Sequence, residues 1–133
     1  MIAVDTSVVV PALSAWHERH ESCRTVLDDR PHIVGHALVE SFSVLTRLPA
    51  PFRMRPQLAS ELLSANFGHP ALVMTADDTA RFVANLSQWR VVGGAVYDAL
   101  IAATAAQAGA ALLTLDARAA RTYLAVGADV RLL

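Results

Sequence analysis

The sequence predicts an α/β fold, a three-layer domain built on a mostly parallel five-stranded sheet. Three observations point to it. Five short apolar runs, at residues 2–4, 32–34, 72–74, 111–115 and 130–132, show no clean polar alternation, which suits strands buried on both faces. The stretches between them are long and helix-prone, as parallel crossovers require. At 133 residues with 54% apolar content, the chain is long enough for one continuous core, so residues 1–133 read as a single domain.

The elements follow in order. Ile2-Ala3-Val4 forms the first strand and stops at Asp5-Thr6-Ser7, whose side chains cap or ligate rather than extend a core. A helix follows from Ser7 toward Leu13. Residues 16–28 place Trp16, His20, Cys23 and Leu27 at helical spacing before Asp29-Arg30-Pro31 ends the run. After the strand at 32–34, residues 36–48 carry the apolar stripe Leu38, Phe42, Leu45 and Leu48, with Glu40 near the start. The proline-rich segment 49–56 separates this helix from one over 57–66, with Pro56 suited to its first turn. Thr75 caps a helix over 76–89 after the strand at 72–74, and Asp78 completes a capping-box pattern. Gly93-Gly94 opens an alanine-rich helix from Val96 that Gly109 stops. The strand at 111–115 ends at Asp116, a helix covers 117–125, and a last strand occupies 130–132.

Composition bounds the chemistry. Eleven basic residues, all arginine, oppose twelve acidic ones for a formal net charge of −1, which excludes a polycationic domain but permits a local basic groove. The single cysteine, Cys23, excludes an internal disulfide, a CxxC pair and a Cys-rich zinc module, and fits a reducing, cytoplasmic setting. No stretch offers the roughly twenty apolar residues of a membrane span. The histidines form no HExxH motif.

The remaining signal lies in acids that interrupt apolar segments. Asp5 and Asp116 end strands; Glu40 and Asp98 open helices. In a parallel α/β sheet, strand ends and adjacent helix starts meet in one crevice. Clustered carboxylates need a compensating charge, and an all-oxygen set suits Mg²⁺ or Mn²⁺. Helix capping is the alternative account of Asp5, Thr6 and Asp116, and the helix dipole that of Asp98; only for Thr6 does the cap explain the position equally well.

Taken together, Val4-Asp5-Thr6-Ser7, His36-Ala37-Leu38-Val39-Glu40, the run Tyr97-Asp98-Ala99-Leu100-Ile101-Ala102-Ala103-Thr104-Ala105 and Leu113-Thr114-Leu115-Asp116 resemble the PIN-domain ribonucleases of the VapC toxin type. The resemblance spans nearly the whole chain. It implies the strand order 3-2-1-4-5 and a divalent-metal site of Asp5, Glu40, Asp98 and Asp116 for RNA hydrolysis, leaving a 5′-phosphate and a 3′-hydroxyl. It further implies a homodimer and a cognate antitoxin that blocks the cleft. In this reading Mg²⁺ is the cofactor and Mn²⁺ its substitute. Asp5 and Asp116 anchor the metal, Asp98 adds direct or water-mediated ligation, and Glu40 ligates or orients the attacking water. Thr6 completes the catalytic set with a hydroxyl for water, phosphate or backbone, while Ser7 and Thr114 offer the same chemistry. Arg118, two residues after Asp116, is the RNA-phosphate candidate, ahead of Arg47, Arg81 and Arg121.

Other classes are weaker. The first strand leads to Asp5-Thr6-Ser7 rather than GxGxxG, which removes a dinucleotide cradle. The chain contains no lysine, unlike phosphorylated receiver domains, and no second aspartate two residues after Asp5, unlike haloacid-dehalogenase phosphatases. Another Mg-dependent phosphohydrolase and a non-catalytic α/β interaction domain stay open as alternatives.

Overall fold

The computed structural model describes residues 1–133. Four strands, β1 (Ile2–Val4), β2 (His32–Ile33), β3 (Ala111–Thr114) and β4 (Val130–Leu132), form one sheet in the order β2-β1-β3-β4. Every ladder is parallel: Ala3 pairs with His32 and Leu112, and Leu113 with Arg131. The helices are α1 (Thr6–Ala12), α2 (His20–Asp28), α3 (Gly35–Arg47), α4 (Pro56–Asn66), α5 (Ala76–Asn85), α6 (Ala95–Gln107) and α7 (Ala117–Val126). All of β3 is buried. Because neighbouring strand residues point to opposite faces, both faces of the sheet are covered at that strand.

The expected fifth strand is not formed, so the order 3-2-1-4-5 is corrected to four strands. Residues 72–74 contribute only a parallel bridge between Leu72 and Val34. The cause is local. Leu72 donates its N–H to Ile33 O at 2.9 Å, and its carbonyl accepts Gly35 N–H at 2.8 Å, but Gly35 already opens α3. On the other side of the bridge Thr75 begins to cap α5, its hydroxyl accepting the Asp78 N–H at 3.1 Å. Two helix starts leave no length for a ladder. Gly35 also permits the approach itself, since a Cβ there would stand 2.9 Å from Val73 Cγ1.

Two helices are shorter than their patterns predict. The α2 helix begins at His20 rather than at residue 16, preceded by turns that bond His17 N to Ser14 O and His20 N to His17 O. The α5 helix stops at Asn85, and the chain then turns through Arg90 at φ 57°. The other boundaries agree within the usual one or two residues.

The main core joins Ala3 and Val4 of β1, Leu112 and Leu113 of β3, Val8 and Val9 of α1, and Ile101, Ala102 and Ala105 of α6. Alanine lets α6 lie close: Ala99, Ala102 and Ala105 have no exposed surface. The core therefore clamps β1 and β3 side by side, which fixes the positions of the residues that follow them. At the end of α7, Gly127 adopts φ 91°, the left-handed conformation of a helix stop. Gly127→Ala is expected to lower stability by about 1 kcal/mol, measured by urea unfolding, with the m-value unchanged.

Candidate active site

Two chain reversals build the centre of the site. Asp5 follows β1 and is the N-cap of α1; Asp116 follows β3 and is the N-cap of α7. Since Val4 of β1 pairs with Leu113 of β3, both aspartates emerge at the same carboxyl edge of the sheet, Asp5 level with Thr114 and Asp116 two residues further on. Asp5 Oδ1 accepts the Ser7 N–H at 3.0 Å, and Asp116 Oδ1 accepts the N–H groups of Arg118 and Ala119 at 2.9 and 3.0 Å. Capping thus occupies one oxygen of each carboxylate, Oδ1 in both, and at Asp116 leaves Oδ2 for further chemistry.

A chain of hydroxyls joins the two turns. Ser7 Oγ donates to Asp5 Oδ1 at 2.5 Å and accepts the Leu115 N–H at 2.8 Å. Thr114 Oγ1 lies 3.1 Å from Ser7 Oγ and accepts the Asp116 N–H at 2.9 Å. With the Ser7 proton committed to Asp5, Thr114 is the donor to Ser7, so the hydrogen bonds run Thr114 to Ser7 to Asp5. Sequence reasoning names both hydroxyls without their direction; the geometry supplies it.

Tyr123 is the residue that sequence reasoning misses. Its hydroxyl donates to Asp5 Oδ2 at 2.8 Å from a side chain only 2% exposed. The available signal is a polar-tipped ring on the otherwise alanine-lined buried face of α7 with Ala119 and Ala120, because a buried tyrosine hydroxyl needs a partner. Burial and the Asp5 charge raise the phenol far above its ordinary range, which keeps the proton on Tyr123 as a donor.

Glu40 and Asp98 complete the ring. Glu40 extends from α3, where its Oε2 accepts the Thr6 hydroxyl at 3.0 Å. Asp98 stands in the first turn of α6, whose N-terminus has no side-chain cap. Asp5, Thr6, Ser7, Glu40, Asp98 and Asp116 line one small cavity of ≈ 60 Å³, with Ile101 and Tyr123 as its apolar wall. All five residues of the expected catalytic set face this cavity.

Burial pushes the Asp5 carboxyl above its usual range, opposed by the hydrogen bonds it accepts from Ser7 and Tyr123. Asp98 is also raised, first by burial and then by the neighbouring charges of Asp116 and Glu40, while Arg118 works against the shift. The carboxylates repel one another in a partly desolvated space. An all-oxygen set under that strain fits a hard divalent cation. As the side chains stand, no group of three His, Cys, Asp or Glu forms a metal-holding cluster. Asp5 turns one oxygen to Ser7 and the other to Tyr123.

A wider groove of ≈ 620 Å³ opens from the cavity and shares Glu40 and Asp98 with it. Its floor is a stripe of α3, His36, Glu40, Ser43 and Arg47, at helical spacing; Arg118 and Thr122 of α7 and the start of α6 form its walls. The three ion pairs of the chain use Arg24, Arg81 and Arg131, so Arg47 and Arg118 are outside them. Arg81 pairs with Asp78 on α5 and lines a different cavity. Arg121 is exposed and lines neither the cavity nor the groove.

The PIN domain family model matches residues 2–124. The chain belongs to the PIN-domain family, among the VapC-type ribonucleases. It is 42% identical over 132 residues to Ribonuclease VapC40 of Mycobacterium tuberculosis, covering 99% of this chain and 98% of that protein. It is 43% identical over 130 residues to Ribonuclease VapC27 of the same organism, covering 97% and 94%. The same fold occurs in a structure of FitAB bound to an IR36 DNA fragment, with TM-score 0.72, 18% identity and coverage of 99% of this chain and 94% of that one. It also occurs in VapBC2 from Rickettsia felis bound to a promoter DNA fragment, with TM-score 0.67, 16% identity and coverage of 100% and 99%.

Tyr123→Phe leaves a buried carboxylate without one donor and is expected to cost about 1–3 kcal/mol, read by chemical denaturation. Asp98→Asn acts in the opposite direction. Because the folded Asp98 pKa lies above 3.8, its stability contribution is present below that value and is lost as pH rises through the raised pKa. In chelator-containing buffer, the Tm of Asp98→Asn is expected to exceed that of the wild type at neutral pH, with the gap closing on acidification.

Proposed function

We propose that the chain is a metal-dependent endoribonuclease, the toxin of a toxin–antitoxin pair, which hydrolyses RNA phosphodiester bonds. The observation that carries this reading is the convergence of carboxylates from four separate elements on one cavity, beside a groove bearing Arg47 and Arg118. Asp5, Glu40, Asp98 and Asp116 would hold Mg²⁺, with Mn²⁺ as a substitute. When bound, the ion supplies Lewis-acid polarisation of a phosphate and lowers the pKa of the attacking water.

The protein's own groups prepare that chemistry. Tyr123 and Ser7 orient Asp5 through both of its oxygens, so the carboxylate is fixed before substrate arrives. Thr6 does the same for Glu40 with one hydrogen bond. Asp116 is held by the first turn of α7, which also carries Arg118 to the groove for a phosphate oxygen. The chain has no need of a protein nucleophile in this scheme, and water displaces the 3′ oxygen to leave a 5′-phosphate.

Residues 1–133 act as one domain in this reading. The likeness to chains of FitAB and VapBC2 supports a cognate antitoxin as partner, one that covers the acidic cleft. A homodimer that works in the cytoplasm completes the proposal, and no helix is long and apolar enough to cross a membrane.

Time-resolved cleavage of structured and unstructured RNAs with Mg²⁺ or Mn²⁺ tests the reading. Internal cuts with 5′-phosphate ends are expected, abolished by chelation and reduced at least ~100-fold in Asp5→Asn and Asp98→Asn. Equal cutting by folded variants would reject the acidic site. Release of inorganic phosphate from nucleotides without internal cuts would establish the phosphohydrolase alternative instead.

A further inference from the structure

The groove contains a feature that metal-assisted hydrolysis does not use. His36, in the first turn of α3, and Tyr97, in the first turn of α6, stack with ring centroids 5.3 Å apart and planes only 9° from parallel. Both rings line the same groove as Glu40, Asp98 and Arg47. Tyr97 nevertheless remains 58% exposed. A half-bare tyrosine is a poor core residue, and two near-parallel rings at a groove wall offer a flat apolar surface to a third ring.

The position of the pair relative to the acids follows from helix geometry. His36 precedes Glu40 by four residues, which sets it about 6 Å along the same face of α3. Tyr97 adjoins Asp98 directly. Arg47 continues the α3 stripe on the far side of Glu40, roughly 10 Å beyond it. Along the groove the order is therefore aromatic pair, carboxylates, guanidinium. An extended single strand presents the matching order, a base, a phosphate and a further phosphate.

Resting on the ribonuclease reading, we propose that His36 and Tyr97 form a stacking platform for one unpaired nucleobase next to the scissile phosphate, with Arg47 holding a phosphate on the other side. Stacking tolerates any base, since each has a π-face, but it requires that the base be out of a duplex. The platform would select single-stranded or looped RNA by shape. Its members bind and position substrate and take no part in bond cleavage.

The test uses the full-length protein and a short single-stranded oligoribonucleotide carrying 2-aminopurine, whose fluorescence is quenched on stacking, in chelator so that nothing is cut. Wild-type protein is expected to quench the probe. Tyr97→Ala is expected to lose the quenching and to raise KM for cleavage roughly ten-fold, with kcat changed far less. Tyr97→Phe, which keeps the ring, is expected to recover quenching and KM. Unchanged quenching and KM in Tyr97→Ala would overturn the platform while leaving the ribonuclease reading intact. Quenching without cleavage of any RNA in Mg²⁺ would reject that reading and keep the platform. Loss of antitoxin binding in Tyr97→Ala with RNA binding intact would make the pair a protein contact and end the proposal.

Discussion

The pairing of β1 with β3 is the constraint on which the rest of the site depends. Neighbouring in space but more than a hundred residues apart in the chain, the two strands end together, and each turns at once into a helix. The turn chemistry is duplicated: an aspartate caps the new helix on either side. Ser7 then spans the gap by donating to the aspartate of its own turn and accepting an N–H from the other. A shift of register by one residue would separate these partners and turn every side chain of β3 to the opposite face. Packing of alanine-rich α6 and of Val8 and Val9 against the strands prevents that shift.

Placing like charges together runs against folding, and the structure meets this opposition by unequal means. Asp5, the most buried acid, has three donors: the Ser7 hydroxyl and N–H, and the Tyr123 hydroxyl. Asp98 has no ion pair, and the positive charge that acts on it is that of Arg118, on a different helix. Order is thus concentrated at Asp5, while the side of the cavity toward the groove keeps its electrostatic strain. This distribution suits a site that must be preformed at its base and receptive at its mouth.

Much of this was legible in the residues. Asp5, Glu40, Asp98 and Asp116 interrupt apolar segments at element ends, and the parallel fold brings such ends together. Capping by itself accounts for the positions of Asp5 and Asp116, and it is compatible with a second role because it engages only Oδ1 of each, although at Asp5 the other oxygen already accepts Tyr123. What escaped were features decided by contact between distant segments. Tyr123 depends on the facing of α7 toward Asp5, which spacing alone does not give. The strand expected at residues 72–74 has suitable composition, yet the helix starts at Gly35 and Thr75 leave it a single bridge. Periodicity reports what a segment favours, not how much room its neighbour leaves.

That bridge also bears on how the sheet meets other molecules. Leu72 occupies the outer side of the two-residue strand β2, so this edge offers almost no open backbone. The opposite edge, β4, is three residues long and carries Arg131 paired with Asp129 at 3.5 Å. Short, covered or charged edges resist the addition of a foreign strand. Such edges disfavour growth of the sheet, which directs association with another copy or a partner toward the helix faces and the groove between them.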